Sequence, residues 1–192
     1  MPLIESFSQK FDEITELHDW LLATIQPFIK GRIFEAYSGN GDLSSRLINN
    51  GNILQLNAFS EDNKEYLRQM FLTSTAVRGI HTLNFRSNDI DGRYRHFQNH
   101  FSTVLVCDDF EKNIHNDIIV IQSAKRLISD RGRLIVIGRS PVVLFPGSEQ
   151  DTELLNDYTQ NSIFHLLKPD MLVKTWLFNY NGACFISISK RS

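Results

Sequence analysis

Gly31-Arg32-Ile33-Phe34-Glu35-Ala36-Tyr37-Ser38-Gly39-Asn40-Gly41-Asp42-Leu43 decides how this chain is read. A short apolar run ends in an acid, passes through Gly-x-Gly and opens into an amphipathic stretch from Leu43 to Ile48. That order spells a strand, a tight glycine turn and a helix N-terminus. A turn of this kind lets a ligand approach the backbone closely, and the helix end favours electron-rich groups.

Outward from the turn, strand and helix alternate. Upstream, Phe11, Ile14, Leu17, Trp20 or Leu21, and Ile25 recur at helical spacing and predict a helix over Phe11 to Ile29, stopped by Gly31. Downstream, Ile33 to Tyr37 is the first strand and Asp42 to Asn49 a helix closed by Gly51. Ile53 to Asn57 is a second strand, and Ser60 caps a helix reaching about Thr73. Ile80 to Phe85 reads as a third strand and Asp91 to His100 as a short helix. Phe101 to Cys107 is a continuous apolar run, the pattern of a strand buried on both faces. A helix over Asn116 to Ser129, the turn Arg131-Gly132-Arg133 and a strand over Leu134 to Gly138 follow. The alternation argues for a parallel α/β sheet. After Ser140 the rhythm changes. A loop to Gln150 and helical pieces over Asp151 to Leu167 precede two β runs, Met171 to Phe178 and Ala183 to Ser189, joined by Asn179-Tyr180-Asn181-Gly182. Two such runs across an Asn/Gly turn predict a hairpin.

With 192 residues, 42% apolar and 22% charged, the chain has globular proportions. It is expected to be one domain over 1–192: an N-terminal helical segment (1–30), an alternating strand–helix part (31–140) and a C-terminal segment with the hairpin (141–192). A net charge of −2 carries no global basic bias, so nucleic acid is not an expected partner. No apolar stretch approaches the roughly 18–20 residues needed to span a bilayer. Two cysteines, Cys107 and Cys184, are too few for a disulfide framework and read as buried core thiols. A cytoplasmic setting follows. The histidines show no metal-type pairing with Cys or acids, so no metal site is expected.

The order Glu35-x-x-x-Gly39-x-Gly41 resembles the first motif of class I S-adenosylmethionine (SAM) methyltransferases, with Tyr37 where the family carries its first Gly. The helix segment His18-Asp19-Trp20-Leu21-Leu22 and the stretch Val104-Leu105-Val106-Cys107-Asp108-Asp109-Phe110-Glu111 are similar to small bacterial members. The resemblance implies a Rossmann-like sheet of seven mostly parallel strands, helices on both faces and a C-terminal antiparallel hairpin. It implies SAM as cofactor, and a small-molecule or glycan-type acceptor. Ser38 to Gly41 would contact the methionine part, and Glu35 would hold the turn. Asn57, with Ala58, stands where the family places an acid on the ribose hydroxyls. The amide offers a single acceptor face, so binding should weaken by about 1–3 kcal/mol unless Glu61 or Asp62 substitutes. Asp89, with Ile90, is the candidate on the adenine side, and Asp108 closes the site at the end of the fourth strand.

Tyr37, Asn57 and Lys112 (where many relatives carry His) are departures that leave SAM use weakened or lost as an open alternative. Asp108, Asp109 and His115 are the candidate bases, with Glu111 beside them; methyl transfer requires a base only for a poor nucleophile. A catalytically inactive binding or partner module, including a homodimer, is the second reading. A nicotinamide oxidoreductase is the third, since Gly39-Asn40-Gly41-Asp42-Leu43-Ser44 half matches a dinucleotide fingerprint. Arg86, Arg93, Arg95 and His96, interleaved with Phe85, Tyr94 and Phe97, read as a solvated face.

Overall fold

The computed structural model describes residues 19–107, 114–139, 171–178 and 184–191. Helix α1 covers 19–25 and continues as a 3-10 turn, Gln26–Phe28, with Pro27 at its start. The part of the expected first helix before residue 19 lies outside the described residues, as do 140–170 and the turn Asn179 to Gly182. The remaining elements are β1 (Ile33–Glu35), α2 (Asp42–Asn49), β2 (Leu54–Asn57), α3 (Glu61–Met70), β3 (Val77–His81), β4 (Phe101–Cys107), α4 (Ile114–Leu127), β5 (Ile128–Arg139), β6 (Met171–Phe178) and β7 (Cys184–Arg191).

The seven strands form one sheet in the order β3-β2-β1-β4-β5-β7-β6. β1 to β5 run parallel, with Ile33 opposite both Leu54 and Thr103. β7 runs antiparallel to β5 and to β6, so the expected terminal hairpin closes the sheet. Succession proceeds outward from β1 to β3, then jumps back to β4 on the other side. The reversal lies between β1 and β4, where open α/β sheets hold their ligands at the strand C-terminal ends.

Period-two alternation divides the core cleanly. On one face Phe34, Ala36, Val104, Val106, Leu134 and Val136 pack with Val120, Ala124 and Leu127 of α4. On the other, Ile33, Leu54, Leu56, Leu105, Ile135 and Ile137 pack with Leu21 and Ile25 of α1 and Leu47 of α2. Both faces of the central strands are covered, which is why these strands read as unbroken apolar runs. Cys107 joins the second face only partly buried, short of the sealed core position expected for it. Among the described residues no helix is long and apolar enough to cross a membrane.

Three local expectations shift. The third strand runs over Val77–His81 rather than Ile80 to Phe85, because Val77 to His81 pair with β2 while Leu83 and Phe85 turn into the α4-side core. The segment from Asp91 to His100 is not an α-helix. Two 3-10 turns, Asn88–Ile90 before it and Arg95–Phe97 within it, take its place, and Ile90, Tyr94 and Phe97 are buried. Arg131-Gly132-Arg133 is not a turn before the strand but a bulge within β5, with Arg131 at φ 59° and the register with β4 slipping between Phe101 and Thr103.

Phe34 is fully buried, its ring 4.8 Å from Phe101 and 5.6 Å from Phe97. Phe34→Ala should lower unfolding free energy by about 3–5 kcal/mol in chemical denaturation, the cost of a large aromatic cavity at the sheet centre.

Candidate functional site

The chain leaves β1 through Ala36 and Tyr37 and turns at Ser38 to Gly41. Gly39 (φ 50°) and Gly41 (φ 84°) both take left-handed conformations that favour glycine. Their surroundings differ. A Cβ on Gly41 would lie 2.8 Å from the Met70 sulfur and 3.2 Å from Leu67, so this glycine admits the end of α3. A Cβ on Gly39 would meet nothing within 4 Å, so this glycine faces open space. The turn is closed by Gly41 N–H donating to Ser38 O at 2.7 Å. Asn40 and Asp42 bridge its outer side.

Glu35, on the α2 side of β1, is 1% exposed. Ser44, in the first turn of α2, donates its hydroxyl to the Glu35 carboxyl at 2.5 Å. Burial pushes the Glu35 carboxyl from its ordinary 4.5 up to about 7, against the opposing pull of the Ser44 and Ser38 hydroxyls. The acid therefore sits beneath the turn as an internal post.

Helix α3 supports the turn from the other side. Ser60 caps it by accepting from Asn63 N–H at 3.1 Å. Asn63 then donates from its own amide to Gly39 O at 2.7 Å and accepts from Phe59 N–H at 3.3 Å. No sequence signal points to Asn63 at this turn; its reach to Gly39 requires the packed α3. Ser44, the last residue of the half-matched dinucleotide fingerprint, likewise becomes a partner for Glu35 only once α2 packs over β1.

Asn57 ends β2 with 2% exposure. Its amide donates to Ala36 O at 3.0 Å and Leu83 O at 2.9 Å, and its carbonyl accepts from Leu83 N–H at 2.7 Å. The side chain thus points into the protein, whereas the resemblance implied that it faces a ribose. Ala58 and Ile90 are 2% and 1% exposed, sealed in the core rather than lining an open surface. Tyr37 is half-buried, packed on the α4-side core with its ring 5.7 Å from Phe85, and leaves the space beside Gly39 open. Asp89 accepts from Asn84 N–H at 3.1 Å and lies 3.9 Å from Arg93, holding the loop that follows β3. Glu61 accepts from the Thr82 hydroxyl at 2.8 Å on the rim of the same edge. The structure therefore brings Glu35, Ser38, Gly39, Gly41 and Asn57 to one corner, with Asp89 bordering it through the β3 loop. Asp108, Asp109, Glu111 and Lys112 lie outside the described residues; His115 is on α4, its side chain undescribed.

Two other features stand apart from this corner. Phe85, Tyr94 and Phe97 are buried, and Arg93 lies over the Tyr94 ring at 4.8 Å, so the basic–aromatic segment does not present alternating rings to solvent. A groove of about 470 Å³ between α3 and edge strand β3 is lined by Arg68, Phe71, Leu72 and Arg78 among others, and by none of the corner residues.

No family model matches the sequence, and no curated protein matches it. Solved structures do. The fold is similar to the PH0226 protein from Pyrococcus horikoshii OT3, with a TM-score of 0.67 at 12% identity over 95% of this chain and 91% of that one. It is similar to a SAM dependent methyltransferase from Archaeoglobus fulgidus (TM-score 0.66, 11% identity, 92% and 94% covered). It is also similar to the N-methyltransferase NodS from Bradyrhizobium japonicum WM9 (TM-score 0.63, 10% identity, 92% and 95% covered). At such identities the likeness establishes the fold.

The post beneath the turn has a pH signature. A carboxyl whose folded value is raised holds its proton longer in the folded state, so its contribution is whole below pH 4.5 and is lost as pH rises to about 7. Glu35→Gln keeps an acceptor for Ser44 and removes the titration. Its stability relative to the wild type should climb by about 3 kcal/mol between pH 4.5 and 7.5 and level off above, measured by urea unfolding across that range.

Proposed function

From the class I SAM-methyltransferase fold that the chain adopts, we propose that it is a SAM-dependent methyltransferase acting in the cytoplasm on a small-molecule or glycan-type acceptor. The observation that carries this reading is the open left-handed Gly39, held from below by Glu35–Ser44 and from the side by Asn63, at the sheet's topological switch. The backbone at Ser38 to Gly41, open beside Gly39, would take the methionine end of the cofactor. The β2 end does not fit the ribose in the family manner, since Asn57-Ala58-Phe59 carries no carboxylate and the Asn57 amide is engaged inward.

The chemistry that SAM supplies is a methyl group on a sulfonium. The share of this chain is to position the reactants and exclude water, which account for much of the rate in such transfers. Asp89 would fix the loop bordering the adenine side. Where an acceptor needs deprotonation, Asp108, Asp109 and His115 are the bases within the stretch that follows β4. The inward Asn57 favours one other reading: a methyltransferase-like module without activity, serving a protein partner or a second copy. The half-matched dinucleotide fingerprint is opposed by the hairpin end, since a dinucleotide-binding domain would continue with parallel units.

Calorimetric titration with SAM, S-adenosylhomocysteine and NAD separates the readings. Saturable binding of S-adenosylhomocysteine supports the methyltransferase; silence with all three supports the module; binding of NAD alone supports the oxidoreductase. Gly39→Ala fills the open space with one methyl group. It should weaken S-adenosylhomocysteine binding by roughly tenfold or more while costing only about 1 kcal/mol of stability from its left-handed backbone.

A further inference from the structure

Asn57 is the residue whose surroundings differ most from what its place in the chain implies. Its two amide hydrogens and its carbonyl all meet backbone. One hydrogen goes to Ala36 O, at the end of β1. The other hydrogen and the carbonyl grip Leu83 from both sides, pairing with its C=O and its N–H. A side-chain amide has the same donor and acceptor as a peptide, so it extends the β2–β3 ladder beyond its last backbone pair, Asn57 with His81. The backbone of Asn57 joins the same unit: its N–H donates to the Ser38 hydroxyl at 3.2 Å and its C=O accepts from Ser38 N–H at 3.1 Å. One residue therefore ties the glycine turn, the end of β1 and the segment after β3.

We infer that Asn57 is a positioning residue, a strut that sets the glycine turn against the Leu83 to Asp89 loop, and does not itself contact a ligand. The inference rests on the methyltransferase reading only for what that loop faces; the strut itself stands on the geometry. Its chemistry is specific to an amide. Asp has the same shape but no donors, so Asn57→Asp sets carboxylate oxygens against Ala36 O and Leu83 O, both acceptors, in a site that water does not reach. Ser at this position removes the bridge without adding a charge.

A residue that binds ribose and a residue that braces the fold make opposite predictions for Asn57→Asp. A ribose ligand gains a second charged acceptor and should bind S-adenosylhomocysteine more tightly with little change in melting temperature. A strut should lose stability and gain no affinity. The test compares wild type, Asn57→Asp and Asn57→Ser in three measurements: thermal unfolding, hydrogen exchange at the Leu83 amide, and titration with S-adenosylhomocysteine. The expected result is a melting temperature lower by roughly 8 °C in the Asp form and by less in the Ser form. Leu83 exchange should be at least roughly tenfold faster in both forms, with no tightening of binding. Failure of the Asp form to fold, with a folded but weakened Ser form, gives the same answer. An Asp form as stable as the wild type, with Leu83 protection unchanged, overturns the inference, and tighter binding by that form restores the ligand role. If no form binds S-adenosylhomocysteine, the methyltransferase reading fails, while stability and exchange still decide the strut.

Discussion

The glycine turn at the C-terminal edge of this sheet sits over one hydrogen bond, from the Ser44 hydroxyl to the buried carboxyl of Glu35. Taking a charged carboxylate out of water is unfavourable, and burial raises its titration to about 7 against the opposing Ser44 and Ser38 hydroxyls. The group is tolerated because it joins two elements that must keep a fixed distance, the end of β1 and the first turn of α2. Between them the chain has only Ala36 to Gly41 in which to reverse direction. Two left-handed glycines make that reversal, and each is required for a different reason: Gly41 by the Met70 and Leu67 side chains of α3, Gly39 by the turn itself and the space beside it. The corner is thus rigid where it touches the protein and open where it faces outward.

The larger fold places that corner. Because β1 is flanked by β2 on one side and β4 on the other, the chain must cross over the sheet after β3, and the strand ends on either side of the crossover diverge. Alternating side chains on β1, β4 and β5 fill both layers, so the strands cannot slip by one residue without exchanging their buried sets. Register fixed in this way carries Glu35 to the α2 side and Phe34 to the α4 side. The position of the acid beneath the turn follows from the same alternation that builds the core.

Much of this was written plainly in the chain. The boundaries of α2 and β4, the Ser60 cap, the parallel alternation and the closing hairpin all have local signals: a glycine turn, a capping serine, an unbroken apolar run, two β runs across an Asn/Gly segment. What was not legible depends on contacts between distant residues. The third strand lies at Val77–His81 because those residues pair with β2, while Leu83, bonded to the Asn57 amide 26 positions away, and Phe85 turn into the core. The segment after Asp91 forms only the single 3-10 turn Arg95–Phe97, with Tyr94 and Phe97 packed into the same core as Phe34. Arg131 enters a bulge because β5 begins pairing at Ile128, before the turn that Gly132 implied. In the candidate site, the glycines were visible from their spacing. The inward direction of Asn57 was not, since an asparagine at a strand end looks the same whether its amide faces ligand or backbone.

The proposed function puts the ligand at the turn over Glu35, on the C-terminal edge of the sheet, and not in the groove between α3 and β3. Amide chemical-shift mapping of the ¹⁵N-labelled protein with S-adenosylhomocysteine tests it residue by residue. The expected shifts saturate and cluster at Ser38 to Gly41, at Ala58 to Asn63 and at Asn84 to Asp89. Shifts confined to Glu65 to Ile80, or none up to about 1 mM ligand, where even a weak site of about −4 kcal/mol would begin to fill, would contradict it.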